Sequence, residues 1–211
     1  MRVGRSRERL RQKMFYSVLA AVYEASPISL PERLVEEVVR RLRGRRRVLD
    51  VGCATGYLTR RLARHCSEVV GVDVNARMIR ASRARTSREN VRFLRADAHD
   101  LPLPDGYFDG VVLSEVLQHL NLRVAAREVT RVTARGARAV IVLPNPASRV
   151  ARAATRLIHL LTGNNEWVSC ELVAAAFGRE WRVSEFEEHG DRVMLVLDRV
   201  GGEPVGGEGG G

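Results

Sequence analysis

The run Val48-Leu49-Asp50-Val51-Gly52-Cys53-Ala54-Thr55-Gly56 decides how the rest of the chain is read. Its first four residues read as a buried strand with one acidic break. A tight turn of small residues follows, and Tyr57-Leu58-Thr59-Arg60-Arg61-Leu62-Ala63 then reads as a helix. Strand, glycine turn and helix form the ligand-cradling unit of an open α/β sheet. Glycine lets the backbone approach a ligand, and the helix start offers N–H groups with no partner inside the helix. The spacing Gly52-x-Ala54-x-Gly56 is shorter than the G-x-G-x-x-G of dinucleotide-binding turns.

Outward from this unit, strand and helix patterns alternate. Strands are expected at 47–51, 68–73, 91–95, 108–113 and 137–143, with helices at 56–65, 76–85 and 124–134. Such alternation implies a parallel sheet with helices on both faces. Upstream, 8–24 reads as an amphipathic helix through Leu10, Met14, Val18 and Val22. A second helix, 32–43, starts at Pro31, turns Leu34, Val35, Val38, Val39 and Leu42 inward, and stops at Gly44. Downstream, 182–188 and 193–197 flank His189-Gly190-Asp191 as an antiparallel hairpin. The glycine-rich tail 201–211 is expected to be disordered.

A chain of 211 residues, 45% hydrophobic and 28% charged, suits one α/β domain. No run of about 18 apolar residues occurs, so no membrane span is expected. The basic stretch 1–13 lacks the apolar core of a secretory signal. Three scattered cysteines form neither a disulfide framework nor a metal-ligand spacing, and no metal site is expected. A reducing cytoplasm is the simplest compartment. The net charge is +10, and Lys13 is the single lysine among 35 basic residues. A basic balance suits nucleic acid or anionic membrane. The arginines are spread over nearly every segment, the pattern of a solvated surface or a compositional bias.

Further residues fall into place around the turn. Asp73 ends strand two, where a carboxylate can accept from both ribose hydroxyls; a cap for the helix from Asn75 is a compatible role. Leu94-Arg95-Ala96-Asp97-Ala98-His99-Asp100-Leu101-Pro102 follows strand three. Asp109 opens strand four, Ser114-Glu115-Val116-Leu117-Gln118-His119-Leu120 follows it, and Glu128-Val129-Thr130-Arg131-Val132 lies on the later helix. In this order, over 47–143, these stretches resemble the class I S-adenosylmethionine (SAM)-dependent methyltransferases. The type is the small-molecule one, similar to the ubiquinone/menaquinone-biosynthesis methyltransferase domain.

The resemblance implies a Rossmann-like, mostly parallel seven-stranded sheet ending in an antiparallel hairpin, with SAM as cofactor and S-adenosylhomocysteine as product. It implies backbone contacts to SAM from Gly52, Cys53, Ala54 and Gly56, with Asp50 ordering the turn or reaching the methionine amino group. Asp73 would take the ribose, Asp97 the adenine amino group, and the backbone of Ala98 a ring nitrogen. Val74, Met78 and Ser114 complete the set, with Tyr16 and Tyr23 on a helix over the methionine end. Residues 1–44 would cap the pocket and 45–200 form the domain. Cys53 reads as a small turn residue rather than a nucleophile. Ala54 replaces a glycine and would fit with a negative φ. The Asn-Pro-Pro-Tyr signature of nucleic-acid amino methyltransferases is absent after strand four; Leu143-Pro144-Asn145-Pro146 follows strand five.

Because the methyl group of SAM is already activated, the protein has mainly to align acceptor, methyl carbon and sulfur. A general base is needed only if the acceptor must lose a proton. His119 and Glu115 are the candidates, with His99 and Tyr16 behind them. In 147–170, Val150, Ala153, Ala154, Leu157, Ile158 and Leu161 make an apolar stripe, and Arg149, Arg152 and Arg156 lie on another face. A core or dimer helix is the plain reading; an acceptor pocket or peripheral membrane contact is the functional one. The acceptor is expected to be a small or lipid-like molecule, with RNA second. A non-catalytic SAM-fold adaptor is the alternative of a different class, and an NAD oxidoreductase the third. The sequence leaves the oligomeric state open.

Overall fold

The computed structural model describes Met14, Phe15, Val18, residues 30–163 and residues 167–200. In chain order the elements are α1 (Glu32–Leu42), β1 (Arg47–Val51), α2 (Tyr57–Leu62), β2 (Glu68–Asp73), α3 (Ala76–Ala84), β3 (Val91–Arg95) and β4 (Phe108–Ser114). They continue with α4 (Leu122–Val132), β5 (Thr133–Pro144), α5 (Arg149–Thr162), α6 (Cys170–Phe177), β6 (Trp181–His189) and β7 (Arg192–Arg199). The seven strands form one sheet in the order β3-β2-β1-β4-β5-β7-β6. All neighbouring pairs from β3 to β5 are parallel, and β7 is antiparallel to β5 and β6. The fold class read from the sequence is the one observed.

Alternating side chains give the sheet two apolar faces. On one, Val48, Val69, Val112, Val140 and Val142 pack with Leu34, Val38 and Leu42 of α1, Leu58 and Leu62 of α2, and Ile79 of α3. On the other, Leu49, Val70, Val111 and Ile141 pack with Ala126 and Val129 of α4, and Val173 and Phe177 of α6. The helix 32–43 is therefore a layer of the sheet's face. Buried Arg41 joins α1 to the hairpin: its guanidinium meets Glu37 at 2.5 Å, Glu185 at 2.9 Å and also Glu187. Charged side chains decorate both outer strands, Arg92 and Arg95 on β3, and Glu185, Glu187 and Glu188 on β6.

The structure corrects several expectations. Helix α2 is shorter than 56–65, because Gly56 adopts φ 77° and the Asn90 amide takes the carbonyls of Ala63 and Cys66 beyond the helix. Helix α4 begins at Leu122, where Asn121 caps Val124 N–H, and ends where Thr133 Oγ1 donates to Val129 O. Strand β5 starts at Thr133 and passes through an irregularity opposite β4, with Gly136 at φ 76°. Helix α5 exists, but it does not bury its apolar stripe. It turns in Ala151, Thr155 and Thr162, and Thr162 Oγ1 satisfies itself on Ile158 O. Met14 and Val18, on the apolar stripe of the expected helix 8–24, are 62% and 76% exposed. The remainder of 1–29, with Tyr16 and Tyr23, and the tail 201–211 lie outside the described residues.

Candidate active site

Strand order reverses at β1: the chain continues to β2 and β3 on one side and later to β4 and β5 on the other. Open α/β sheets bind ligands at such a switch point, beyond the carboxyl ends of the strands. The turn Gly52–Gly56 sits there. Val72 O of β2 accepts from both Gly52 N (2.8 Å) and Cys53 N (2.9 Å), and Gly56 N donates to Cys53 O. Three turn residues are left-handed: Gly52 at φ 76°, Ala54 at φ 47° and Gly56 at φ 77°. The negative φ expected of Ala54 is therefore wrong. Its N–H donates to Asp73 Oδ2 at 3.0 Å, which holds the residue in a conformation that disfavours a Cβ.

Gly52 and Gly56 are also required by packing. A Cβ on Gly52 would lie 2.6 Å from Val116 Cγ2, and one on Gly56 would lie 2.5 Å from Phe93 Cζ. Val116 comes from the segment after β4, so the two banks of the switch point touch through a missing side chain.

Asp73 holds the turn with one oxygen and, with the other, accepts from Asn75 N at 2.7 Å; the Asn75 side chain caps α3 through Arg77 N. Each carboxylate oxygen has a second lone pair, so the group retains capacity for two hydroxyl donors. Burial pushes its pKa up, and the two backbone N–H groups oppose that. Asp50 is fully buried and accepts from Thr59 Oγ1 at 2.6 Å. Burial first, and then the charge of Asp73, push its pKa up to about 7. Burial also raises the Cys53 thiol, which keeps it protonated and inert, in line with a turn role.

Asp97, just beyond β3, accepts from His99 N at 3.0 Å, and the His99 ring approaches the same oxygen at 2.6 Å through Nδ1. His99 Nε2 accepts from Asn121 N at 2.8 Å, so Nδ1 carries the proton and donates to Asp97. His99 thus links the Asp97 carboxylate to the start of α4, with both ring nitrogens engaged. This removes it as a base candidate and makes it a positioning residue. Ala98 is buried, and Val74 is 41% exposed. The Met78 side chain is fully buried within α3. The donor set fits SAM: a carboxylate with two remaining lone pairs, a flush backbone turn, and carboxylates nearby for a cation.

Across the switch point, Ser114 ends β4, and Glu115 follows with φ 54°, a left-handed value rare outside glycine. Glu115 Oε1 lies 2.8 Å from Arg192 Nε, an ion pair off the ideal hydrogen-bond line, with Arg192 rising from the β6–β7 turn. Burial pushes the Glu115 pKa up to about 7, while Arg192 draws it down and Asp191 pushes it up. Gln118 donates to Glu115 O, and its own buried Oε1 has no hydrogen-bond partner. His119 is half-buried on the short 3₁₀ turn Leu117–His119. The sequence reading missed Thr59, Val116, Phe93, Gln118 and Arg192. Thr59 stands near enough in sequence to be sought as a partner of Asp50; Arg192 belongs to a distant hairpin, and no spacing announces it.

Some arginines scattered in sequence gather in space. Tyr57, Arg60, Arg61, Arg64, Arg85 and Arg88 line a cavity of about 280 Å³ beside α2. Among the described residues no helix is long and apolar enough to cross a membrane, and no group of three or more His, Cys, Asp or Glu could hold a metal ion.

Residues 49–141 match a family described as a methyltransferase domain. An uncharacterized methyltransferase of Mycobacterium tuberculosis (strain ATCC 25618 / H37Rv) is 35% identical over 134 residues, 63% of this chain and 64% of that protein. The match thus spans less than two thirds of the length of this curated relative. A ubiquinone/menaquinone biosynthesis C-methyltransferase of Stutzerimonas stutzeri is 37% identical over 103 residues, 45% of this chain and 40% of that one. Among solved structures, geranyl diphosphate C-methyltransferase from Streptomyces coelicolor, in complex with Mg2+, geranyl diphosphate and S-adenosyl-L-homocysteine, superposes with a TM-score of 0.68 at 18% identity. It covers 80% of this chain and 77% of that one. Residues 49–141 thus match a methyltransferase-domain family, and the fold is that of a methyltransferase solved with S-adenosyl-L-homocysteine.

Proposed function

We propose that this chain transfers a methyl group from SAM to a small or lipid-like acceptor by in-line displacement. One observation carries the reading: the left-handed turn 52–56, locked onto Asp73 at the switch point of the sheet. Bound SAM supplies an electrophilic methyl on a positively charged sulfur. The backbone of Gly52–Gly56 would lie against it, and the free lone pairs of Asp73 would take the ribose hydroxyls. Asp97, fixed by His99, would receive the adenine amino group beside Ala98 N–H. Asp50 would order the turn through Thr59 and favour a cation beyond it. Alignment of this kind is worth up to ~7–11 kcal/mol of barrier.

On the acceptor bank, the pairing of Glu115 with Arg192 supports an orienting role for Glu115 over that of a free base. His119 is the remaining base candidate, for acceptors that lose a proton. Residues before α1, with Tyr16 and Tyr23, would close the pocket. The quinone-biosynthesis relative supports a lipid-like acceptor. The arginine-lined cavity beside α2 favours RNA as the second reading.

The test is calorimetric titration with SAM, S-adenosylhomocysteine and NAD, followed by transfer of labelled methyl into cell-extract fractions. SAM binding with label in the solvent-extractable fraction is expected. RNase-sensitive label would shift the acceptor to RNA. SAM binding without label anywhere would favour an adaptor, and NAD binding without SAM binding would overturn the reading.

A further inference from the structure

Helix α5 presents three different faces. Ala151, Thr155 and Thr162 are buried. Val150, Leu157, Leu160 and Leu161 are exposed at 68%, 56%, 76% and 47%. With Ala153 and Ala154, also exposed, these four span roughly 120° of the helix circumference at 3.6 residues per turn. Arg149, Arg152 and Arg156 fill one of the two arcs between the exposed apolar face and the buried one, and half-buried Ile158 lies in the other. The sequence from Pro144 to Asn165 contains no Asp or Glu. Beyond the helix, Trp167 and Leu172 are 39% and 54% exposed. Six of the thirteen large apolar side chains exposed among the described residues thus fall within 150–172, which makes this a patch rather than scatter.

A helix turned for the core would bury its leucines; this one buries alanine and threonine and leaves its leucines out. A water-facing helix would carry charge on that arc. An apolar face bordered by guanidinium groups, with no carboxylate on the helix, is the layout of a helix lying in a lipid interface. The charge selects the lipid, because arginine near a bilayer is attracted to anionic headgroups. We propose that α5 docks this protein onto an anionic lipid bilayer. Val150, Leu157, Leu160 and Leu161 enter the acyl boundary, and Arg149 and Arg156 lie among the headgroups, with Arg152 beside them held on Pro146 O and Ala147 O. Because α5 follows β5 at the carboxyl edge of the sheet, docking sets the candidate active site against the lipid surface. The inference does not depend on methyl transfer.

The test is co-sedimentation of the full chain with vesicles of phosphatidylglycerol and phosphatidylcholine in equal parts, against vesicles of phosphatidylcholine alone. Binding to the anionic vesicles is expected, with little to the neutral ones. Each arginine removed in R149Q/R156Q should weaken it about five-fold. The variant L157Q/L160Q/L161Q should lose binding while its thermal melt, followed by circular dichroism, stays near that of the parent, since these side chains are exposed. If the leucine variant fails to fold, the arginine pair decides. No binding to anionic vesicles overturns the proposal. Retained binding in both variants does so as well, placing the contact elsewhere on a chain of net charge +10. A lipid-free dimer abolished by the leucine substitutions would assign the face to a second copy and overturn it too.

Discussion

The two banks of the switch point are held in different ways. On the β1–β2–β3 bank the backbone does the holding: Val72 O takes two turn amides, Asp73 takes a third from Ala54 and the amide of Asn75, and glycines leave room for Val116 and Phe93. On the β4–β5–β7 bank side chains do it: a left-handed Glu115 meets a buried Arg192, and a buried Gln118 oxygen has no partner. Backbone-held geometry dictates residue type, so it leaves a motif. Geometry held by a distant ion pair can be reached by many residue combinations and leaves none. A shared cofactor and a variable acceptor would call for this division.

The largest expected effect lies on the backbone-held bank. Gly52→Val needs a left-handed β-branched residue and places its Cβ against Val116. SAM affinity should fall by more than about 100-fold by calorimetry, with a stability loss of about 3 kcal/mol in denaturant titration. Near-normal affinity would break the claim that the turn's backbone is the binding element.

Removing Arg192 tests the other bank. Arg192→Leu leaves Glu115 buried without its cation and should cost about 3–5 kcal/mol of stability. The double variant Glu115→Gln/Arg192→Leu should recover much of that, and SAM affinity in Glu115→Gln should change less than about three-fold. A large loss of SAM affinity there would merge the two banks into one.

The pH dependence should carry the same signature at a smaller scale. Glu115 and Asp50 are raised to about 7 from ordinary values of 4.5 and 3.8. Between those values and 7 the folded protein holds protons that the unfolded chain releases, so the stability from these groups is full in acid and declines as pH rises toward 7. Glu37, Glu128 and Asp198, held low by arginines, work in the opposite sense, and their contribution is lost only in more acid solution. Unfolding free energy should therefore drop by about 2 kcal/mol for each of the two groups from pH 5 to 7. Glu115→Gln should show a flatter slope; an unchanged slope would sink the assignment to Glu115.

His99→Ala should reduce SAM affinity about five- to ten-fold by removing the ring's hold on Asp97, a loss of about 1 kcal/mol, with turnover at saturating SAM unchanged. The smallest effect is expected for Ala54→Gly. Relief of the left-handed alanine should leave SAM affinity intact and stabilise the fold by less than about 1 kcal/mol. Destabilisation would mean that the methyl group packs usefully.

The legible parts follow the same divide. Strands β1, β2 and β3 match the sequence reading at both ends, because short, mostly apolar runs are bounded there by charged or turn residues. The positions of Gly52, Gly56 and Asp73 were readable from spacing. The φ of Ala54 was not, since it depends on an Asp73 oxygen arriving from another strand. Periodicity found helix α5 but could not orient it, because an apolar stripe looks the same facing core or lipid. The scattered arginines suggest a solvated surface or a compositional bias, yet Arg41 and Arg192 are buried, Arg131 ties down the loop after β3, and Arg199 holds the α4–β5 junction, both through backbone carbonyls.

The charges on the two outer strands set how copies of this protein meet. A sheet edge is a row of open backbone partners, and a bare one recruits strands from neighbours and seeds fibrils. Here Arg92 and Arg95 guard β3, while Glu185, Glu187 and Glu188 guard β6, with two of the glutamates also tethered to Arg41. Edge-to-edge growth would need those charges to be stripped of water. A crowded solution of this protein should therefore resist strand-exchange aggregation, and removal of the Arg41 clamp should be the change that first lets the hairpin edge stray.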